Sequence, residues 1–111
     1  MELTGEFLRG QTDAIILSVL IKGDNYGYQI NQEISFKSDN TFMLTEATLY
    51  TAFKRLEKDN FIISYWMDGP NAKRKYYSIT EEGRSYLENH KLQWEKAKII
   101  IDKFIGGNYE R

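Results

Sequence analysis

Residues 45–80, TEATLYTAFKRLEKDNFIISYWMDGPNAKRKYYSIT, constrain the fold of this chain more than any other stretch. At about 100° per residue, Leu49, Ala52, Phe53 and Leu56 fall on one side of a helix. Ala47, Thr48, Thr51, Lys54, Arg55 and Lys58 fall on the other, a small, hydroxylic and basic face. Thr45 is a natural N-cap, and Glu46 suits the positive end of the helix dipole. Asn60 tolerates the left-handed conformation that ends helices, so the helix should stop near residues 59–60. FIISYWM and KYYSI follow, rich in β-branched and aromatic residues, and they flank DGPNAKR. That is the pattern of a β-hairpin, with Lys73, Arg74 and Lys75 close to its turn.

The rest of the chain reads as helices around this unit. A first helix is expected over about residues 6–22, from Leu8, Ile15, Ile16, Val19 and Leu20 at helical spacing, with Gly23 as its stop. Asn25 is the expected cap of a second, with Tyr26, Ile30 and Ile34 on its inner face and Gly27 small enough for a neighbouring helix to approach. SFKSDNTF then reads as a loop. Thr80 should cap a fourth helix, with Glu81 and Glu82 in its first turn, running to about Ile105. Along it, Gly83, Leu87, His90, Trp94, Ala97, Ile101 and Phe104 are spaced 4, 3, 4, 3, 4, 3, a heptad seam. Two readings of the seam are open: packing on helix 1 of the same chain, or pairing with a second copy. A sequence-reading DNA-binding domain this small commonly works as a two-fold dimer, which favours the second.

The expectation is a mainly α fold with a small β-hairpin: a winged helix-turn-helix over residues 1–79 and a C-terminal dimerisation helix with a short tail over residues 80–111. In such a fold the third helix enters the major groove and the hairpin reaches flanking phosphates. Thr48 and Thr51 let the backbone sit deep and can touch a base edge or a thymine methyl. Arg55 is the candidate for bidentate contact to guanine or phosphate, and Lys54 and Lys58 suit phosphates. Tyr50 lies at the boundary, where its phenol either bonds a phosphate or caps the core. Net charge is −1, but residues 44–78 carry six basic and four acidic side chains, against three and six in residues 1–43. An excess that small also arises by chance, so it supports a DNA reading only alongside the helix–hairpin pattern.

Enzyme chemistry lacks its inventory. There is one histidine, His90, on the seam, and no cysteine, so neither a His/Cys metal cluster nor a Cys–His pair can be assembled. No G-x-S-x-G, glycine-rich phosphate loop or H-E-x-x-H occurs. Glu81 and Glu82 are adjacent on a helix and do not face each other. No metal and no cofactor is expected. No apolar run approaches the roughly 20 residues of a membrane helix. The first ten residues do not read as a secretory signal, and with the missing cysteines this favours a cytoplasmic location.

QTDAIILSVLIKGDNYGYQI, EATLYTAFKRLEKDNFIISYW and KRKYYSITEEG together resemble the PadR family of bacterial transcriptional regulators, over about residues 8–104. The short length resembles the subfamily with a single C-terminal helix, which includes multidrug-sensing repressors. The resemblance implies a winged-helix homodimer that represses transcription from an inverted repeat, often with ATGT and ACAT arms. It implies an interface built from Leu87, Trp94, Ala97, Ile101 and Phe104. It further implies a planar aromatic effector stacked between two copies of Trp94, beside Phe7, Ala14 and Ser18. From the residues alone plain core packing is the favoured reading of Trp94, and only the resemblance turns it towards a ligand role. One turn after it, where multidrug-sensing members carry an acid, stands Lys98, which turns the expectation from cations to neutral or anionic guests. A winged-helix protein–protein adaptor that does not bind DNA is the alternative.

Overall fold

A computed structural model of the protein describes residues 7–107. Its elements are α1 (Thr12–Leu20), β1 (Asn25–Tyr26), α2 (Gly27–Lys37), α3 (Glu46–Lys58), β2 (Ile62–Asp68), β3 (Lys73–Ile79) and α4 (Glu81–Ile105). Three helices pack on one face of a small antiparallel sheet of order β1-β3-β2, and α4 leaves its end. The core joins Ile16, Leu17 and Leu20 of α1, Ile30 and Ile34 of α2, and Leu49, Ala52, Phe53 and Leu56 of α3. Ile62 and Tyr77 close it from the sheet, with the Tyr77 ring stacked on Phe53 at 3.9 Å between centroids. The apolar side of α3 is buried as its spacing predicts.

Both expected caps are present. The Thr45 hydroxyl accepts from the Thr48 amide at 3.1 Å, and the Thr80 hydroxyl from the Gly83 amide at 3.0 Å. Asn60 ends α3 with φ of 64°. The hairpin is regular from Ile62↔Ile79 to Asp68↔Lys73.

Four local expectations are corrected. The first helix was expected from Glu6, which lies outside the described residues. Within them, residues 7–11 form turns and the helix starts at Thr12, because Gly10 sits at φ of 88°, which no helix continues through. At its other end α1 stops at Leu20, two residues before Lys22, and residues 21–22 are turn. Asn25 does not cap α2. It and Tyr26 form a third strand, pairing with Tyr77 and Tyr76, and the Tyr26 N-cap position carries no side-chain hydrogen bond. Finally, α2 runs three residues into SFKSDNTF and ends at Lys37, before Asp39 and Asn40 take positive φ.

Gly83 is the tightest point of the fold. A Cβ there would lie 2.8 Å from Ile79 Cγ1 and still closer to the Phe61 carbonyl oxygen, so its bare backbone lets α4 start directly against the wing. Among the described residues no helix is long and apolar enough to cross a membrane.

Candidate nucleic-acid interface

α3 presents Thr48, Thr51, Lys54 and Lys58 to solvent, with Ala47 beside them. Four ties fix its orientation. Asn31 of α2 donates to the Leu44 carbonyl at 2.7 Å and accepts from the Leu44 amide at 3.1 Å, which fixes the chain entering the helix. Thr45 caps its first turn. Glu57 accepts from the Ser64 hydroxyl at 2.6 Å and links its last turn to β2. Arg55 forms a two-pronged pair with Asp13 of α1, with Nε and Nη2 donating at 3.0 and 2.5 Å.

That pair gives Arg55 a structural partner beside its expected DNA role. Its guanidinium is turned along the surface to α1, where the hydrogen bond to Asp13 raises its pKa above the usual arginine value. Asp13 takes the Nε and Nη2 side of the guanidinium and leaves Nη1 as its free end. Thr48, Thr51, Arg55 and Asp13 share the wall of an open cleft of about 550 Å³, closed on its far side by Tyr86 of α4. Tyr50 caps the core, the second of its two alternatives, and keeps an exposed surface. Its ring packs edge-on to Phe53, and its hydroxyl lies against Gly27, where an added Cβ would be 2.6 Å away.

The wing places Lys73, Arg74 and Lys75 consecutively on β3, next to the turn closed by the Gly69 amide donating to the Ala72 carbonyl. Lys73 and Arg74 are exposed and Lys75 is half-buried. They belong to the same side of the molecule as Tyr50, and a second open cleft runs between them.

α4 behaves as two halves. In the first, Gly83 is buried, Tyr86 stacks on Phe61, Leu87 packs on the core and His90 meets Gln11 at 2.7 Å. His90 is thus a packed polar contact to the chain just before α1. Beyond it Leu92, Trp94, Ile99, Ile100, Ile101, Phe104 and Ile105 are exposed, and Ala97 is half-buried. Of the expected effector residues only Trp94 and Lys98 lie in this region; Ala14 and Ser18 are on α1 and Phe7 precedes it. Trp94 is 48% exposed and Phe7 and Lys98 are exposed, while Ala14 is buried and Ser18, half-buried, donates to the Ile15 carbonyl at 2.6 Å.

Sequence reasoning missed Asp13, Asn31, Glu57 and Ser64. Asp13, Asn31 and Ser64 act on α3 from other elements, Ser64 through Glu57 of α3 itself, and periodicity within one helix carries no sign of such pairings. Among the described residues no group of His, Asp or Glu side chains is gathered as a metal would need.

Comparison with known proteins agrees with this geometry. The model of the transcriptional regulator PadR-like family matches residues 16–89. An uncharacterised protein of Lysinibacillus sphaericus is 46% identical over 103 residues, covering 92% of this chain and 94% of its own. A transcriptional regulator from Clostridium thermocellum superposes with a TM-score of 0.85 at 45% identity, covering 90% of this chain and 98% of that one. A PadR family transcription regulator from Clostridium difficile superposes at 0.75 with 36% identity, covering 85% and 97%. The helix–wing unit, the long terminal helix and these matches together make the chain a member of the PadR-like family of transcriptional regulators, which are winged-helix DNA-binding proteins and not enzymes.

Proposed function

We propose that the protein is a homodimeric repressor that binds an inverted-repeat operator through α3 and the wing, and that a planar aromatic effector held at the dimer interface relieves it. The observation that carries the DNA part is the placement of Thr48, Thr51, Lys54 and Lys58 on the exposed face of α3, beside the basic wing. Groove depth comes from the small hydroxylic residues, and phosphate contacts from Lys54, Lys58, Lys73, Arg74 and Lys75. Arg55 serves this surface by orienting α3 through Asp13.

The dimer part rests on the outer half of α4. Trp94, Ile101 and Phe104 are exposed and share one side of a helix that extends beyond the core, which a second copy, with its α1, would cover. Burying one such side chain contributes about 1.5–3 kcal/mol, so a few suffice for a stable pair. Ala97 and Leu87 belong to the same side; Leu87 already packs on its own core and adds less. The two-fold axis would bring two half-exposed indoles to one point, where a flat guest stacks on both. Such a guest changes DNA affinity only if it prefers one spacing of the two α3 helices. Lys98 disfavours cations there.

The test is fluorescence anisotropy on a labelled duplex of the chain's own promoter, with planar dyes and phenolic acids added. Two chains per site and release by at least one neutral or anionic compound are expected, with the response lost in Trp94→Ala. Binding unaffected by every compound would remove the effector. Absence of duplex binding would return the reading to a protein–protein adaptor.

A further inference from the structure

The wing cleft is unusual in its lining. It encloses about 550 Å³ between β2, β3, the start of α2 and α3, and its walls are Tyr26, Tyr28, Tyr50 and Trp66 together with Lys73, Arg74 and Lys75 around Gly27. Among the described residues no acidic side chain lines it. Asp68 stands opposite Lys73 at the hairpin end, and Glu46 lines an adjoining cleft that shares Gly27, Tyr28 and Tyr50. Two of the cations rest on rings. Arg74 Cζ lies 4.6 Å from the centre of Tyr26, and Lys75 Nζ lies 6.0 Å from Trp66, its cross-strand neighbour, and 5.9 Å from Tyr77. Trp66 is nevertheless 62% exposed, and Tyr28 and Tyr50 are exposed beside it.

An exposed indole on a wing has no packing role to explain it. Its position does. A lysine on a flexible stem loses rotamer freedom when it settles on a phosphate, and a ring beneath it removes part of that loss in advance. The same rings offer exposed apolar surface together with hydroxyl and indole donors. Three positive charges and no negative one fit a polyanion with an apolar element between its charges.

We infer that Trp66 and Tyr26 are positioning residues of the DNA interface: they hold Lys75 and Arg74, which leave β3 on opposite faces, ready for backbone phosphates on either side of the wing, and Trp66 lies against a deoxyribose of the strand passing its face. The inference rests on the reading of α3 and the wing as the DNA surface and adds residues that reading does not use. It separates two quantities that are usually lost together. Removing a cation removes a released counterion and flattens the salt dependence. Removing the ring beneath it leaves the charge in place, so affinity falls while the slope stays.

The experiment is anisotropy on the chain's own promoter duplex, and on an unrelated duplex of equal length, at several salt concentrations. The proteins are the parent, Trp66→Leu, Trp66→Phe, Tyr26→Leu and Lys75→Gln. Trp66→Leu and Tyr26→Leu should each bind the promoter roughly fivefold more weakly with the parental slope. Lys75→Gln should flatten the slope by roughly one. Trp66→Phe, which keeps a ring under Lys75, should recover most of the loss, and this rescue separates positioning from misfolding. Promoter binding by Trp66→Leu equal to that of the parent, or no recovery in Trp66→Phe, overturns the inference while leaving the DNA surface intact. A parent with no salt-dependent binding to either duplex overturns the DNA surface itself and the inference with it.

Discussion

The pair between Asp13 and Arg55 joins the first helix to the third across 42 residues of sequence, and its removal has a predictable size. The guanidinium side chain is 49% exposed and the carboxylate side chain 20%. Exposed ion pairs contribute about 0.2–1 kcal/mol. Two parallel hydrogen bonds and a mostly covered carboxylate place this one at the upper end, so a coupling of about 1 kcal/mol is expected at low salt. The measurement is a double-mutant cycle: parent, Asp13→Ala, Arg55→Ala and the double variant, unfolded in urea at one fixed protein concentration so that any association contributes equally. Raising the salt should shrink the coupling. The DNA arm follows from the same geometry. Arg55→Ala should keep the parental salt slope for promoter binding, since its charge is engaged with Asp13. A coupling below about 0.2 kcal/mol would refute the structural role. A slope flattened by a full unit in a variant of parental stability would return Arg55 to the phosphates.

Gly83→Ala replaces a buried hydrogen by a methyl group against the immobile Phe61 carbonyl. Overpacking costs about 1–3 kcal/mol and the better helix propensity of alanine returns about 1, so a net loss of up to about 2 kcal/mol is expected in thermal or urea unfolding. Burial pushes the Tyr77 phenol up to about 12, with Glu57 adding to the shift. Its folded value lies above its unfolded one, so its contribution is complete below about pH 10 and is lost as pH rises from there to about 12, at roughly 1.4 kcal/mol per pH unit. Tyr77→Phe should remove that slope in denaturant titrations across the window. Ile101→Asp places a carboxylate in the proposed subunit interface and should shift sedimentation towards a monomer, whereas an already monomeric parent at micromolar concentration would end the dimer proposal.

What was legible in the sequence is local. The faces of α3 follow from helical period alone, and Thr45, Thr80 and Asn60 are read from single residue types whose chemistry suits one position on a helix. The hairpin follows from two β-rich runs around a Gly-Pro cluster. β1 was not legible, because two residues have no period, and Asn25 satisfies the residue preference for a cap as well as it satisfies a strand end. Here long-range pairing with Tyr76 and Tyr77 decides. Gly10 was passed over for a similar reason: its neighbours continue the apolar spacing, and only its positive φ marks the break. Within the candidate site, Lys54 and Lys58 are where the period puts them. Arg55 is on the expected face too, yet its partner is an aspartate on another helix, which no pattern within residues 46–58 announces.

The central claim is that α3 and the wing form one phosphate-contacting surface, and the dependence of promoter affinity on salt tests it most directly. Anisotropy with the chain's own promoter duplex should give a linear fall of log affinity with log salt. Lys54→Ala and Lys73→Ala should each flatten it by roughly one unit, and the double variant by about two. Parental slopes in both single variants, with affinity unchanged, would contradict the account.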